Sequence, residues 1–125
     1  MMTPDLLPGV ELGIAFVNRV APDLDYIKHE YCAACDAAHE QSARQFAHTY
    51  HKPSVICWAR AASDLPVEHQ LGILMHEYGH LLAGDKSCEF EDEKAADLAV
   101  LDRFGIEITY VGPHEMQWVE LGAIS

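Results

Sequence analysis

Two periods of hydrophobic and polar positions run along this chain, and they predict most of its elements. From about Leu65 to Leu82 the apolar run around LGILMHEYGHLLAG predicts a helix that Gly84 can end. SDLP just before it is a plausible start, with Ser63 or Asp64 as the cap and Pro66 in the first turn. A further helix is expected from roughly Cys88 to Phe104, stopped by Gly105. KPSVICWARA reads as a strand: Val55, Cys57 and Ala59 alternate with Ile56 and Trp58, so both faces are partly apolar. The segment PDLLPGVELGIAFVNRVAP fits either period. Leu7, Val10, Ile14 and Val17 follow helical spacing, Val10, Leu12, Ile14 and Phe16 strand spacing, and helix is the preferred reading.

From Asp23 to about His51 the chain is rich in Ala, Glu, Gln and His and lacks Gly and Pro, which predicts a helix with a break, closed by Pro53. IEITYV is a short strand candidate, and PHEMQWVEL a last helix opened by Pro113. The expected order is helix, helix, strand, helix, helix, short strand, helix. This is an α+β pattern dominated by helices, in one domain of 125 residues.

Half of the residues are apolar, enough for a real core, yet a chain this short has little spare stability for polar groups inside it. The histidines and carboxylates that interrupt its apolar runs therefore ask for a reason. His76, Glu77 and His80 form H-E-x-x-H within the Leu65–Leu82 run. Residues four apart share a helix face, so both imidazoles can reach one metal ion. Zinc suits imidazole. Glu77, next around the helix, can act as general base on a metal-activated water attacking a carbonyl. The plain alternative is a surface or core histidine pair.

Two histidines do not complete a catalytic zinc site. On the following helix Phe90, Glu93, Asp97, Val100 or Leu101, and Phe104 fall on one face, and Glu93 and Asp97 interrupt its apolar stripe. Glu93 is the preferred third ligand. Asp97, one turn on, can accept a hydrogen bond from a ligand imidazole and fix its tautomer. Glu89, Asp85 and Cys88 are rival ligands. A third ligand six residues after the second histidine is not available, because that position is Lys86.

HEYGH followed by EKAAD resembles the gluzincin zinc metallopeptidases, which carry HExxH and then E-x-x-x-D on a following helix. The chain is similar to the ImmA/IrrE-like peptidases and minimal gluzincins, over about residues 54–104. The resemblance implies a zincin-like core with a small sheet packed on the active-site helix. It implies one zinc per chain on His76, His80 and Glu93, with Glu77 as general base, and hydrolysis of a peptide or protein substrate. The strand before the helix would run beside that substrate, so an extended peptide is expected to pair with the SVICWA edge. His114, Tyr110 and Arg103 are the candidate stabilisers of the oxyanion, His114 foremost.

Charge narrows the field further. Eight basic and 20 acidic side chains give a net charge of −12, which argues against nucleic acid and anionic membrane surfaces as partners. MMTPDLLPGVELG has no basic start and no long apolar run, so no signal peptide is expected, and a cytoplasmic location follows as the default. Cys32, Cys35, Cys57 and Cys88 are then expected as reduced thiols. His29, Cys32, Cys35 and His39 invite a second metal site, but small buried thiols are the preferred reading. A single thiol from this region capping the zinc is a further possibility. Trp58 and Trp118 are expected in a core or groove, His48, His51 and His69 on the surface, and EFEDE as a solvated helix start. Beside the endopeptidase reading stand a catalytically silent zinc-binding regulatory or interaction module and a helical domain without metal.

Overall fold

The computed structural model describes residues 7–41, 45–51, 54–84 and 90–124. Helix α1 spans Pro8–Val20, with Pro8 in its first turn, Glu11 near the N-terminus and Arg19 in the last turn, an order that suits the helix dipole. Strand β1 spans Lys28–Tyr31, α2 Ala33–Gln41, β2 Ala47–His51 and β3 Ser54–Trp58. Helix α3 spans Val67–Ala83 and α4 Phe90–Phe104, followed by β4 at Thr109–Val111 and β5 at Met116–Trp118. The described residues thus make an α+β fold in which helices dominate.

Helix α3 is the centre of the molecule. Every residue from Gln70 to His80 is buried, so this helix is covered on all sides. α1 lies against it through small residues: Gly9 N–H donates to the Gln70 side chain at 2.8 Å, and the Gln70 amide donates to Ala62 O at 2.9 Å. That buried amide is thereby satisfied at both ends. On another side lies a three-stranded sheet in the order β1-β3-β2, with β1 parallel and β2 antiparallel to β3. Trp58, Ile56, Tyr78, Leu71, Leu74 and Met75 fill the core between these layers. At the far end Gly84 takes φ 67° and its N–H returns to His80 O, the expected stop. No helix among the described residues is long and apolar enough to cross a membrane.

Three expectations are corrected. The stretch from Asp23 to His51 is not a broken helix: it forms β1, α2 and β2. In β1, His29 is buried and Lys28 and Glu30 are exposed, a period of two that the run of helix-favouring residues concealed. The segment after Pro113 is not a helix either. Gly112 (φ 87°) and Glu115 (φ 50°) form a tight turn between β4 and β5, closed by Glu115 N–H to Gly112 O at 3.1 Å. β5 then lies so close to α3 that a Cβ on Gly72 would stand 2.5 Å from Trp118 N. Last, neither Ser63 nor Asp64 caps α3. Both belong to a short 3₁₀ turn, Arg60–Asp64, and α3 begins after Pro66 without a side-chain cap.

Candidate metal centre

The polar interruptions of α3 and α4 meet. His76 Nε2 lies 3.1 Å from His80 Nε2 and 3.1 Å from Glu93 Oε2, and His80 Nε2 lies 2.9 Å from Glu93 Oε1. These three side chains form a group able to hold a metal ion, with all ligand atoms within 4.8 Å of one another. His76 is 1 % and His80 6 % exposed, while the Glu93 side chain keeps 40 % of its surface open to solvent. The centre is therefore walled by protein on the α3 side and reached past α4.

A close helix contact brings the groups together. A Cβ on Gly79 would stand 2.2 Å from Ala96 O, so only glycine lets α3 and α4 approach this far. Ala96 and Val100 are fully buried in that contact, whereas Leu101 is exposed, which fixes the face of α4 that carries Glu93 and Asp97.

Asp97 Oδ1 lies 2.7 Å from His76 Nδ1. An ionised carboxylate can only accept, so Nδ1 carries a proton, and Nε2, the atom that faces His80 and Glu93, is the one that could bind a metal in exchange for its own proton. Tyr110 of β4 donates to the other Asp97 oxygen at 2.5 Å and holds the carboxylate in turn. Next around α3, the Thr49 hydroxyl of β2 lies 2.5 Å from Glu77 Oε1 and 3.2 Å from Glu77 O. With one hydrogen to give, the carboxylate is the stronger acceptor. Glu77 is 8 % exposed and is not among the three grouped ligands.

Electrostatics favour a cation here. Burial disfavours the charged form of His76, but the hydrogen bonds to Asp97 and Glu93 and the nearby carboxylates outweigh it and push the imidazole up to about 10. Burial raises Glu93, yet its hydrogen bonds to His76 and His80 hold it down at about 2. The pocket thus stabilises positive charge next to an ionised carboxylate, which fits the donor set to a divalent metal.

Among the predicted residues, His76, His80, Glu93 and Asp97 come together, and the Glu77 carboxylate is near enough to act electrostatically on His76. His114 does not join them: it is exposed in the β4–β5 turn, with no hydrogen bond or ion pair to the cluster among the described residues. Arg103 is engaged elsewhere, its NH2 donating to Asp23 Oδ1 at 2.6 Å. The rivals Asp85, Cys88 and Glu89 lie outside the described residues. SVICWA is not an edge, because β3 is paired on both sides. Cys32, Cys35 and Cys57 do not cap the centre: Thr49 and its partner Ile56 face α3, so Cys57, one residue along β3, faces the other way, and Cys32 and Cys35 pack beside it.

Thr49, Gly79 and the role of Tyr110 as the support of Asp97 were not read from the sequence. Gly79 carried the one available signal, a glycine inside the metal motif of an otherwise strong helix. In comparisons with protein families, curated proteins and solved structures, nothing matches this chain.

Proposed function

We propose that the chain is a zinc-dependent endopeptidase. The observation that carries this reading is the convergence of His76, His80 and Glu93 with an additional carboxylate, Glu77, beside them and outside the ligand set. A purely structural site would have no use for a positioned base. Two imidazoles and one carboxylate are a donor set that zinc favours. When bound there, zinc would supply Lewis acidity toward a carbonyl oxygen and toward water.

The protein groups divide the remaining work. Asp97, held by Tyr110, keeps the Nε2 atom of His76 turned to the ligand position. Glu77 takes a proton from the attacking water at its carboxylate and later returns it to the leaving amine. Thr49 orients that carboxylate from β2.

The sheet supports one placement of an extended substrate. Ala59 N–H donates to Phe46 O at 2.8 Å, so the hydrogen-bonded pairs of β2 and β3 fall at every second residue, at His48 and Tyr50. The N–H and C=O groups of Ala47 and Thr49 then point to the outer edge of β2. An extended peptide added there would run past the residue whose side chain holds Glu77. The free edge of β2 therefore supports a peptide there rather than at β3, which is paired on both sides.

Cleavage of a mixture of unstructured peptides by the zinc-loaded protein tests this reading, with Glu77→Gln as control. Loss of a general base is expected to lower the rate about 10²–10⁴-fold, with zinc still bound one per chain. Equal cleavage by both proteins, or none by either, would contradict it.

A further inference from the structure

The C-x-x-C motif takes no part in the metal centre, yet the fold gives it a defined setting. β1 ends at Tyr31 and Cys32 opens α2: Cys32 O accepts the first helical bond, from Asp36 N–H at 3.2 Å, and Cys32 N–H donates to Trp58 O at 3.1 Å. Cys35 is 5 % exposed and its thiol lies 3.5 Å from Cys57 O, while Cys32 is only half-buried. Cys32 packs against the cluster that holds Cys35 and Cys57 and acts electrostatically on both thiols, and all three are free. This group lies on the face of the sheet turned away from α3, under α2. A solvent-open pocket lined by Ala34, Cys35, Ala38, Ala47, His48 and Tyr50 adjoins it.

We propose that Cys32 and Cys35 form a reversible dithiol–disulfide site whose oxidant is a small disulfide of the glutathione type. Three residues apart at a helix start, the two Cβ atoms lie about 5–6 Å from each other. A disulfide needs about 3.5–4.5 Å, so closing it takes a tightening of the first turn of α2 and no rearrangement of the sheet. Cys32, the more accessible thiol, gives its proton to solvent and attacks one sulfur of the oxidant. The oxidant's S–S bond breaks, and one glutathione leaves as thiolate. Cys35 then loses its proton and attacks the Cys32 sulfur, expelling the second glutathione thiolate. Two electrons and two protons pass from the protein to the oxidant in all.

Cys57 remains reduced. It sits on β3, which is paired on both sides, whereas Cys35 sits in the first turn of α2, which can tighten; burial and the neighbouring Cys32 push the Cys57 thiol up to about 12. Burial also raises the Cys35 thiol, and the charge of Cys32 adds to this.

The test is intact-mass measurement and non-reducing peptide mapping of the whole chain after incubation with oxidised glutathione. The wild-type chain and Cys57→Ser should each lose the mass of two hydrogens, with the bond mapped to Cys32–Cys35 and reversed by dithiothreitol. Cys35→Ser should stop at a glutathione adduct on Cys32. A Cys32–Cys57 bond, modification confined to Cys88, or an unmodified wild-type chain would each overturn the proposal. The wild-type measurement stands even if a variant fails to fold.

Discussion

Two side chains, Thr49 and Asp97, position groups of the candidate centre. Thr49 gives Glu77 a fixed partner, and Thr49→Val keeps the shape while removing the hydroxyl. We expect this variant to bind zinc as before and to lose activity by about tenfold, the size of one hydrogen bond's worth of orientation. Unchanged kcat would show that Glu77 needs no support from β2. Asp97→Asn exchanges a charged acceptor for a neutral amide at His76 Nδ1, and should weaken zinc binding about 10–100-fold in a chelator competition. An unaltered affinity would remove Asp97 from the site. His29 provides a pH test at the same scale. It is 3 % exposed, its Nε2 meets the Tyr78 hydroxyl at 3.1 Å, and burial lowers its imidazole to about 4. The unfolded chain binds a proton near pH 6.5 that the folded chain refuses. Stability from this group is therefore present above pH 6.5 and lost as pH falls toward 4, by roughly 3 kcal/mol. Urea unfolding of the metal-free protein across this range should show the loss, and His29→Gln should flatten it.

At the scale of elements, the contact between α3 and α4 creates the centre. Gly79→Ala places a methyl group against the Ala96 backbone, which cannot swing aside as a side chain would. The helices must part, at a cost of about 1–3 kcal/mol, and Glu93 must move away from the two imidazoles. Lower thermal stability and weaker zinc affinity should appear together in this variant; wild-type values for both would contradict the role given to Gly79. Helix α3 was legible in the sequence because a long apolar run, a glycine stop and i, i+4 histidines all point to one helix. Glu93 and Asp97 were legible because they break the apolar stripe of α4. β1 and β2 were not, since Lys28–Tyr31 and Ala47–His51 are short and sit among good helix formers. Their pairing to β3 is a tertiary effect that overrides local propensity. The β4–β5 turn carried a signal in Gly112, but Pro113 reads equally well as a helix opening. Thr49 follows from the missing strand: without β2 there was no way to bring it to Glu77.

For the whole molecule, the N-terminal half is part of the same body as the metal helix. α1 packs on α3 through Gly9 and Gly13, and β1 and β2 complete the sheet that covers it. The centre is held by elements on both sides of α3, so a bound metal should stabilise the entire fold. Zinc at a thousand times its dissociation constant would add about 4 kcal/mol. The most direct measurement of the central claim is zinc content per chain, by elemental analysis of protein purified without chelator or added metal. The predicted result is one zinc per chain, lost in His76→Ala. A content near zero that persists after zinc is offered and the excess removed would contradict the metal centre and the peptidase reading with it.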